Sequence, residues 1–272
     1  MNKIWLKSYP KNIPESIGEL SNSSICDMMK KASHKYSKNI AFTNLNSKLT
    51  YSDVDKYSDN FGAFLQKKLS ISRGSKVAIM LPNLLTYPVT LFGAYKAGAT
   101  VININPLYKS REIESALNDS NAETIIVLDR FLNELELIIK KTNIKNVIVC
   151  SITDLLSFRM SLLVKTIMFF KKSNIKLDKD YIIFADTITN KYNLENVTLE
   201  LDDVALLQYT GGTTGKSKAA VLTHNNILAN MQQLSLWVYS NIEEGKEIII
   251  TALPLYHIFS FTVNFLYFYS IG

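Results

Sequence analysis

Residues that commonly build metal centres and disulfide frameworks are scarce in this chain. Its 272 residues include two cysteines, Cys26 and Cys150, and three histidines, His34, His224 and His257. The cysteines lie far apart, without metal-ligand spacing, and we expect both to be reduced thiols. The scattered histidines give no pattern for a transition-metal site. We therefore predict neither a disulfide scaffold nor a bound metal held by protein side chains.

Long apolar runs are also missing. No stretch of eighteen uninterrupted apolar residues occurs, so we predict no transmembrane helix. The first residues, MNKIWLKSYPKN, contain no apolar core of the kind found in secretory signal peptides. These absences predict a cytoplasmic protein, and its 47% hydrophobic composition is sufficient for a folded core.

Arginine is rare, and lysine supplies most of the positive charge behind a net charge of +6. A basic balance favours anionic partners, here ATP, CoA or an anionic membrane surface. An AT-rich genome produces the same excess of lysine, asparagine and isoleucine without any functional cause. Because the lysines are spread out and no recognition module is present, we do not predict nucleic acid as a partner.

Strand-like and helix-like segments alternate through the first 150 residues. We predict Ser52 as the N-cap of an early helix and Gly98 as the stop signal of a later one. This alternation indicates an α/β fold with a doubly wound parallel sheet, which binds ligands at the carboxyl ends of its strands. Strands are predicted at 77–81, 100–104, 124–128 and 147–150, and helices at 88–96, after Ser110 and near 132–140.

A change of pattern divides the chain into three predicted parts. Residues 1–153 form a first α/β substructure, residues 154–200 a linker, and residues 201–272 the start of a second substructure. The linker begins with an apolar and basic segment, LLSFRMSLLVKTIMFFKKSNIK. As a helix, residues 155–172 either lie on an anionic membrane at its inner face or pack on their own domain. The sequence does not separate these two interpretations.

The most distinctive segment, LQYTGGTTGKSKAAVLTH, runs from Leu207 to His224. An apolar strand-like run leads into a loop rich in glycine, threonine and lysine, and Thr223 is predicted as the N-cap of the next helix. Glycines let backbone N–H groups turn toward an anion, threonine hydroxyls donate hydrogen bonds, and lysines add charge. A P-loop is not predicted, because Thr210 stands where its first glycine is required, five positions before Gly215.

The loop resembles the phosphate loop of adenylate-forming enzymes, the acyl-CoA synthetase and luciferase superfamily. The pattern of that family is Tyr-Thr-(Ser/Gly)-Gly-Thr-Thr-Gly-x-x-Lys-Gly, and Ala219 replaces its last glycine. The resemblance implies that Lys218 acts in catalysis and that the loop holds the β- and γ-phosphates of ATP. The ATP-binding residues implied in this way are Tyr209, Thr210, Gly211, Gly212, Thr213, Thr214, Gly215, Lys216, Ser217, Lys218, Ala219 and Ala220.

A second motif, ALPLYHIF, starts at Ala252 and follows a predicted strand, Ile248–Thr251. Taken alone, a histidine among apolar residues is more often part of a core than of a site. The segment resembles the later Pro-Leu-x-His-x-Phe motif of the same family. That resemblance implies that His257 borders the acyl pocket and positions the substrate carboxylate, rather than acting as a general base.

Other segments extend the resemblance from Ile4 to Gly272. Leu-Thr-Tyr at Leu49, and Lys-Ala-Gly-Ala at Lys96, resemble family signatures. The runs MLPNLLTYPVTLFGAYKAG and NINPLYKSREIESALNDS, and the N-terminal WLKSYP, resemble bacterial long-chain fatty-acid–CoA ligases. The resemblance implies an enzyme that uses ATP and Mg²⁺ to form acyl-AMP from a long-chain fatty acid, and then transfers the acyl group to CoA.

Members of that family extend well beyond the histidine motif. We therefore expect the N-terminal, doubly wound portion of the ligase fold, ending before the small C-terminal domain. The apolar run 261–271 is expected to pack against residues further downstream. A separate C-terminal half is one way to complete the site, and the chain alone is expected to have little full-reaction activity. The alternatives are a non-catalytic remnant that binds nucleotide or lipid, and another adenylating enzyme that activates amino acids or aryl acids.

Overall fold

The computed structural model of the chain describes residues 3–170, 181–189, 191–210, 218–238 and 242–272. Its main feature is a sheet of seven strands in the order β7-β6-β5-β3-β4-β8-β9, and a separate antiparallel hairpin, β1-β2, precedes it in the chain. The strands are β1 Ile40–Asn44, β2 Ser47–Thr50, β3 Lys76–Met80, β4 Thr100–Asn103, β5 Thr124–Leu128, β6 Asn146–Cys150, β7 Ile182–Ile183, β8 Val204–Thr210 and β9 Lys218–Thr223.

Helices cover both faces of the sheet. Strands β3 to β8 pair in parallel with their neighbours, and β9 runs antiparallel to β8. One core lies between the sheet and α1, α2, α3 and α8, and the other lies beneath α4 and α5. The predicted doubly wound α/β fold is therefore confirmed. The helices are α1 Ile25–Lys35, α2 Tyr51–Leu69, α3 Thr86–Lys96, α4 Ser110–Ser120, α5 Leu132–Glu136, α6 Phe158–Phe170, α7 Phe184–Thr187, α8 His224–Val238, a π-helix Ser260–Tyr267 and α9 Phe268–Ile271.

The predicted helix boundaries need two corrections. Helix α2 is capped by Thr50 and not by Ser52, because the Thr50 hydroxyl accepts from the Asp53 N–H (3.1 Å) while the Asp53 carboxylate accepts from the Thr50 N–H (2.9 Å). This reciprocal capping box satisfies two backbone donors at once. The helix predicted near 132–140 is only α5, followed by a short 3₁₀ turn at Ile139–Lys141. Gly98, with φ of +90°, follows α3 as predicted.

The strand predicted at Ile248–Thr251 is wrong. This segment has no partner strand among the described residues, and the side chains of Ile248 and Ile250 are 93% and 86% exposed. A β-branched composition reports a local preference, whereas a strand also requires a neighbour with which to exchange hydrogen bonds. In place of a ladder, the carbonyl of Thr251 accepts from the side chain of Asn83 (3.0 Å).

The expectation that the last apolar run packs against downstream residues is also wrong. The π-helix and α9 pack within the chain, against α1, α2, α3 and the β1-β2 hairpin. The ring of Phe265 lies 5.1 Å from that of Phe92, and the ring of Tyr269 lies 4.5 Å from that of Tyr51. These aromatic pairs bury large apolar surfaces at spacings typical of favourable ring contacts.

Helix α6, which carries most of the apolar and basic segment, has no buried residue. The side chains of Phe158 and Phe170 are 83% and 78% exposed. The described residues of its own domain therefore do not cover this helix, while residues 171–176 of the segment lie outside the described residues. None of the described helices combines the length and the apolar character that a membrane crossing requires.

Candidate active site

The proposed phosphate loop connects two neighbouring antiparallel strands. Thr210, the last residue of β8, pairs with Lys218, the first residue of β9. Gly211, Gly212, Thr213, Thr214, Gly215, Lys216 and Ser217 lie between them and outside the described residues. The loop therefore starts at the carboxyl end of a parallel strand, where doubly wound sheets bind their ligands.

Tyr209 is directed away from solvent and joins β8 to α4. Its hydroxyl oxygen lies 3.0 Å from the carbonyl oxygen of Ala116 and 2.7 Å from a carboxylate oxygen of Asp119. Burial is the main cause that raises the pKa of Tyr209, with the Asp119 carboxylate acting in the same direction. Its side chain thus anchors the strand from which the loop emerges. Ala219 and Ala220 lie on β9, opposite Tyr209 and Gln208.

The histidine motif forms a turn that leads into the π-helix. The N–H of His257 donates to the carbonyl of Pro254 (3.0 Å), and the carbonyl of His257 accepts from the N–H of Phe261 (2.9 Å). The imidazole is exposed, and its ring lies 4.6 Å from that of Tyr256. Helical segments with π geometry occur frequently at functional sites, which agrees with the position of His257 just before this one.

Asn83, in the loop between β3 and α3, holds this motif and was missed by the sequence analysis. Its side-chain amide donates to the carbonyls of Thr251 (3.0 Å) and Leu253 (2.9 Å), and its side-chain oxygen accepts from the N–H of Leu255 (2.8 Å). The hydroxyl oxygen of Tyr87 lies 3.1 Å from the carbonyl oxygen of Leu255. An asparagine after a strand usually indicates a turn, so local sequence gave no signal for these distant contacts.

The histidine motif is joined to the end of β4, the strand next to the one that leads into the proposed phosphate loop. The Tyr87 hydroxyl oxygen also lies 3.0 Å from the side-chain oxygen of Asn103, at the end of β4. Asn103 pairs with Gln208 of β8, two residues before Thr210. Both side chains are buried, and the amide nitrogen of Asn103 and the amide oxygen of Gln208 have no hydrogen-bond partner within the described chain. Buried polar atoms usually have a hydrogen-bond partner, which is supplied by the protein, a water or a ligand.

Other titratable groups near the core are structural. His224 is buried, its Nδ1 accepts from the N–H of Ile25 (3.2 Å), and burial lowers its pKa to about 4. Burial also raises the pKa of the Cys26 thiol to about 12 and that of Cys150 well above its usual range. Across the described ranges, no three His, Cys, Asp or Glu side chains form a group able to hold a metal ion.

A second concave region of the structure is a cavity of about 670 Å³. It opens between α6 and the segments that follow β5 and β6, and its walls include Asp129, Ser151, Lys165 and Phe169. Among the described residues assigned to ATP or to the acyl group, none lines it. The candidate active site that we consider below therefore lies at the ends of β4 and β8, because Tyr87 contacts the histidine motif and β4, and β4 pairs with the strand that leads into the loop.

Known proteins resemble the chain over its whole length. The AMP-binding enzyme family matches residues 29–272. A long-chain-fatty-acid–CoA ligase from Escherichia coli O157:H7 is 41% identical over all of the chain and 49% of its own length. The corresponding protein of Salmonella typhimurium is 40% identical with the same coverage. A solved structure of a long-chain-fatty-acid–CoA ligase from Archaeoglobus fulgidus shares the fold, with a TM-score of 0.75, 23% identity, and coverage of 97% of this chain and 48% of that one.

These similarities agree with the fold and with the order of the two motifs. The chain spans about half the length of the curated relatives it matches. Within that span, the family match includes β3 to β9, the proposed phosphate loop and His257. The chain belongs to the AMP-binding enzyme family.

Proposed function

We propose that the chain forms the ATP- and acyl-binding part of a long-chain fatty-acid–CoA ligase. The observation that carries this proposal is the position of the Tyr87 hydroxyl, which lies 3.1 Å from the carbonyl oxygen of Leu255 in the histidine motif and 3.0 Å from the side-chain oxygen of Asn103 at the end of β4. Strand β8, which leads into the loop, is the neighbour of β4. Similarity over the entire chain to proteins named as such ligases supports the substrate class.

The reaction takes place in two transfers. An oxygen of the fatty-acid carboxylate attacks the α-phosphorus of ATP, the bond to the bridging oxygen breaks, and pyrophosphate leaves. The thiol of CoA then releases its proton to solvent, its sulfur attacks the acyl carbonyl carbon, and AMP leaves with the electron pair of the broken C–O bond. Loop N–H groups, threonine hydroxyls and Lys218 stabilise phosphate charge, and His257 positions the carboxylate.

Mg²⁺ belongs to this chemistry in the family, where it supplies positive charge to the phosphates. Mg²⁺ is usually held by one or two carboxylates together with substrate phosphates. The described residues assigned to ATP, which are Tyr209, Thr210, Lys218, Ala219 and Ala220, include no carboxylate. We therefore assign no Mg²⁺ ligand to those residues and base no step on the ion.

The proposal also includes contact between helix α6 and a membrane. Helix α6 combines exposed apolar side chains, among them Leu162, Ile167 and Phe169, with the cations Arg159 and Lys165. This combination suits a helix that lies on an anionic bilayer. Such a position suits an enzyme that takes long-chain fatty acids from the membrane. We include peripheral contact with the inner face of the membrane in the proposal.

A second polypeptide segment completes the site in this proposal. The relatives extend over about twice the span that the chain matches, since 276 aligned residues are 49% of the first relative. The unpaired and exposed isoleucines Ile248 and Ile250 provide an apolar surface for such a segment. A separate C-terminal half is therefore the partner we propose.

A complementation assay tests the function. The chain is mixed with the second half of the Escherichia coli relative, and exchange of pyrophosphate into ATP is followed with palmitate, an aryl acid or an amino acid. We expect exchange that depends on palmitate and on both polypeptides. The relative itself, divided at the same point, is the positive control. Exchange that depends on the aryl or amino acid, or no exchange while the divided relative is active, contradicts the proposal.

A further inference from the structure

We infer that Asn83 is a positioning residue for His257, which it fixes by holding the backbone of residues 251–255 with a single side-chain amide. The functional meaning of this inference rests on the proposed role of His257 at the acyl site. The structural claim concerns the orientation of the imidazole and is independent of any substrate.

The hydrogen-bonding capacity of the Asn83 side chain is committed to one segment. Its two amide protons are donated to the carbonyls of Thr251 and Leu253, and its oxygen accepts from the N–H of Leu255. An asparagine side chain carries two donors and one carbonyl acceptor, so each of these groups is used. The amide therefore takes the place of the neighbouring strand that this segment lacks among the described residues.

Asn83 itself is held on both sides. It lies three residues after β3, whose neighbours on either side are β4 and β5. Its carbonyl accepts from the side-chain amide of Asn44 in β1 (3.2 Å). Tyr87, the second residue of α3, adds a fourth contact to the segment at the carbonyl of Leu255. The contacts thus join the segment to the rigid centre of the sheet.

His257 has few other restraints on its position. Its side chain is exposed, and its described contacts are the backbone turn with Pro254 and Phe261 and the neighbouring ring of Tyr256. The turn begins at residues that Asn83 holds, so a shift of Leu253 or Leu255 is carried to the imidazole two to four residues later. Losing an imposed geometry of this kind lowers a rate through misplacement, even when every reacting group remains.

Side-chain NMR of the three histidines tests the inference on the chain alone. His34, His224 and His257 give separate imidazole signals that single His→Gln variants assign. We expect Asn83→Ala to shift or broaden the signals of His257 and to leave those of His224 and His34 in place. Asn60→Ala is the matched control, because Asn60 also donates its amide to a distant backbone carbonyl, that of Ile188 (2.8 Å).

The second variant, Asn83→Asp, keeps the size of the side chain and its oxygen acceptor but removes both N–H donors. It replaces Asn83→Ala in the test if that variant does not fold. Unchanged His257 signals in the folded Asn83 variants overturn the inference. So do equal changes at all three histidines, which indicate a general role in the fold. In the complementation assay we expect a lower kcat with an unchanged KM for ATP. If the unmodified chain gives no activity in that assay, the proposed function fails, while the NMR result still decides the role of Asn83.

Discussion

His224, the first residue of α8, combines full burial with a hydrogen bond that only the neutral ring accepts. Its Nδ1 is the acceptor of the Ile25 N–H, and the ring packs edge-on against that of Tyr95 at 5.6 Å. Burial lowers the pKa of His224 from 6.5 to about 4, although the Asp203 carboxylate acts in the opposite direction. The folded protein therefore disfavours the proton that the unfolded chain binds readily.

This pKa shift makes the folded state sensitive to acid. Because the folded-state pKa is depressed, the stability from neutral His224 is fully present above pH 6.5 and is lost as the pH falls toward 4. The loss in unfolding free energy approaches about 3 kcal/mol. Urea unfolding between pH 7 and pH 4 measures it, with His224→Gln as a variant that keeps an acceptor and does not titrate. Equal pH dependence in both proteins contradicts the assignment.

Lys96 illustrates what a sequence signature leaves open at the residue scale. It belongs to the Lys-Ala-Gly-Ala element that resembles the family, yet its side chain is only 1% exposed. Its ammonium lies 2.7 Å from a carboxylate oxygen of Asp55 and 2.6 Å from one of Asp59. A buried cation needs such partners, and here they join α3 to α2. The sequence pattern identified Lys96, but only the packing of α3 on α2 explains why a lysine is buried there.

At the scale of elements, the β8-β9 hairpin carries the proposed phosphate loop. Lys218 is exposed at the start of β9 and faces Thr210 across the hairpin, so its ammonium is available to an anion at the loop. We expect Lys218→Ala to lower the affinity for ATP about tenfold, which corresponds to about 1.4 kcal/mol. Isothermal titration calorimetry provides the measurement. Lys246→Ala removes another exposed lysine, outside the hairpin, and an equal loss in both variants assigns the effect to net charge.

Some elements are determined by local sequence, and others by contacts between distant residues. Strands β3 to β6 were predicted within a residue because strands buried on both faces appear as short continuous apolar runs. Ile248–Thr251 has the same local appearance, but it lies outside the sheet, where Asn83 replaces a neighbouring strand. The antiparallel direction of β9 likewise has no local signal. Contacts between distant residues decide these cases, and a single sequence does not contain them.

Helix α6 is the element whose proposed role depends on a surface outside the protein. Its exposed apolar residues are interspersed with the cations Arg159 and Lys165. This combination predicts binding to vesicles that contain phosphatidylglycerol and weak binding to neutral phosphatidylcholine. Each basic residue near such a surface contributes about 1 kcal/mol. We expect Arg159→Glu with Lys165→Glu to reduce binding at least about tenfold in co-sedimentation.

A matched pair of charge reversals separates this helix from the charge of the whole chain. Lys145→Glu with Lys246→Glu changes the net charge by the same amount at two exposed lysines outside α6. Binding that falls equally in both double variants assigns the attraction to net charge and removes α6 from the proposal. Binding that neither pair changes excludes an electrostatic contact with the bilayer through this helix.

At the scale of the whole molecule, the sequence predicted the fold and the order of the motifs but not how the chain closes on itself. The final apolar run was expected to need downstream partners, and it instead fills an aromatic core with Phe92 and Tyr51. The division at residues 153 and 200 stays a prediction, while β8 continues the sheet begun by β3 and β4. Apolar composition indicates that a segment is buried, but it does not indicate which other segments cover it.

The proposed C-terminal half has a specific surface on which to act. Ile248 and Ile250 belong to a segment that lacks a partner strand within the described ranges, and both are almost fully exposed. Two neighbouring β-branched side chains are costly to leave in water, and they suit pairing with a strand from another polypeptide. We therefore expect Ile248→Asp with Ile250→Asp to weaken binding to the second half of the Escherichia coli relative.

Analytical ultracentrifugation of the mixed halves measures this effect, and we expect the dissociation constant to rise at least about tenfold, since each buried isoleucine contributes about 1.5 kcal/mol or more. Leu107→Asp is the control, because Leu107 is 73% exposed and lies outside this segment. Equal weakening by both changes indicates a nonspecific apolar contact. Unchanged binding in the isoleucine variant excludes this surface as the junction, and the partner then has to join the chain elsewhere, for instance along β9, the last strand of the sheet in the described part of the chain.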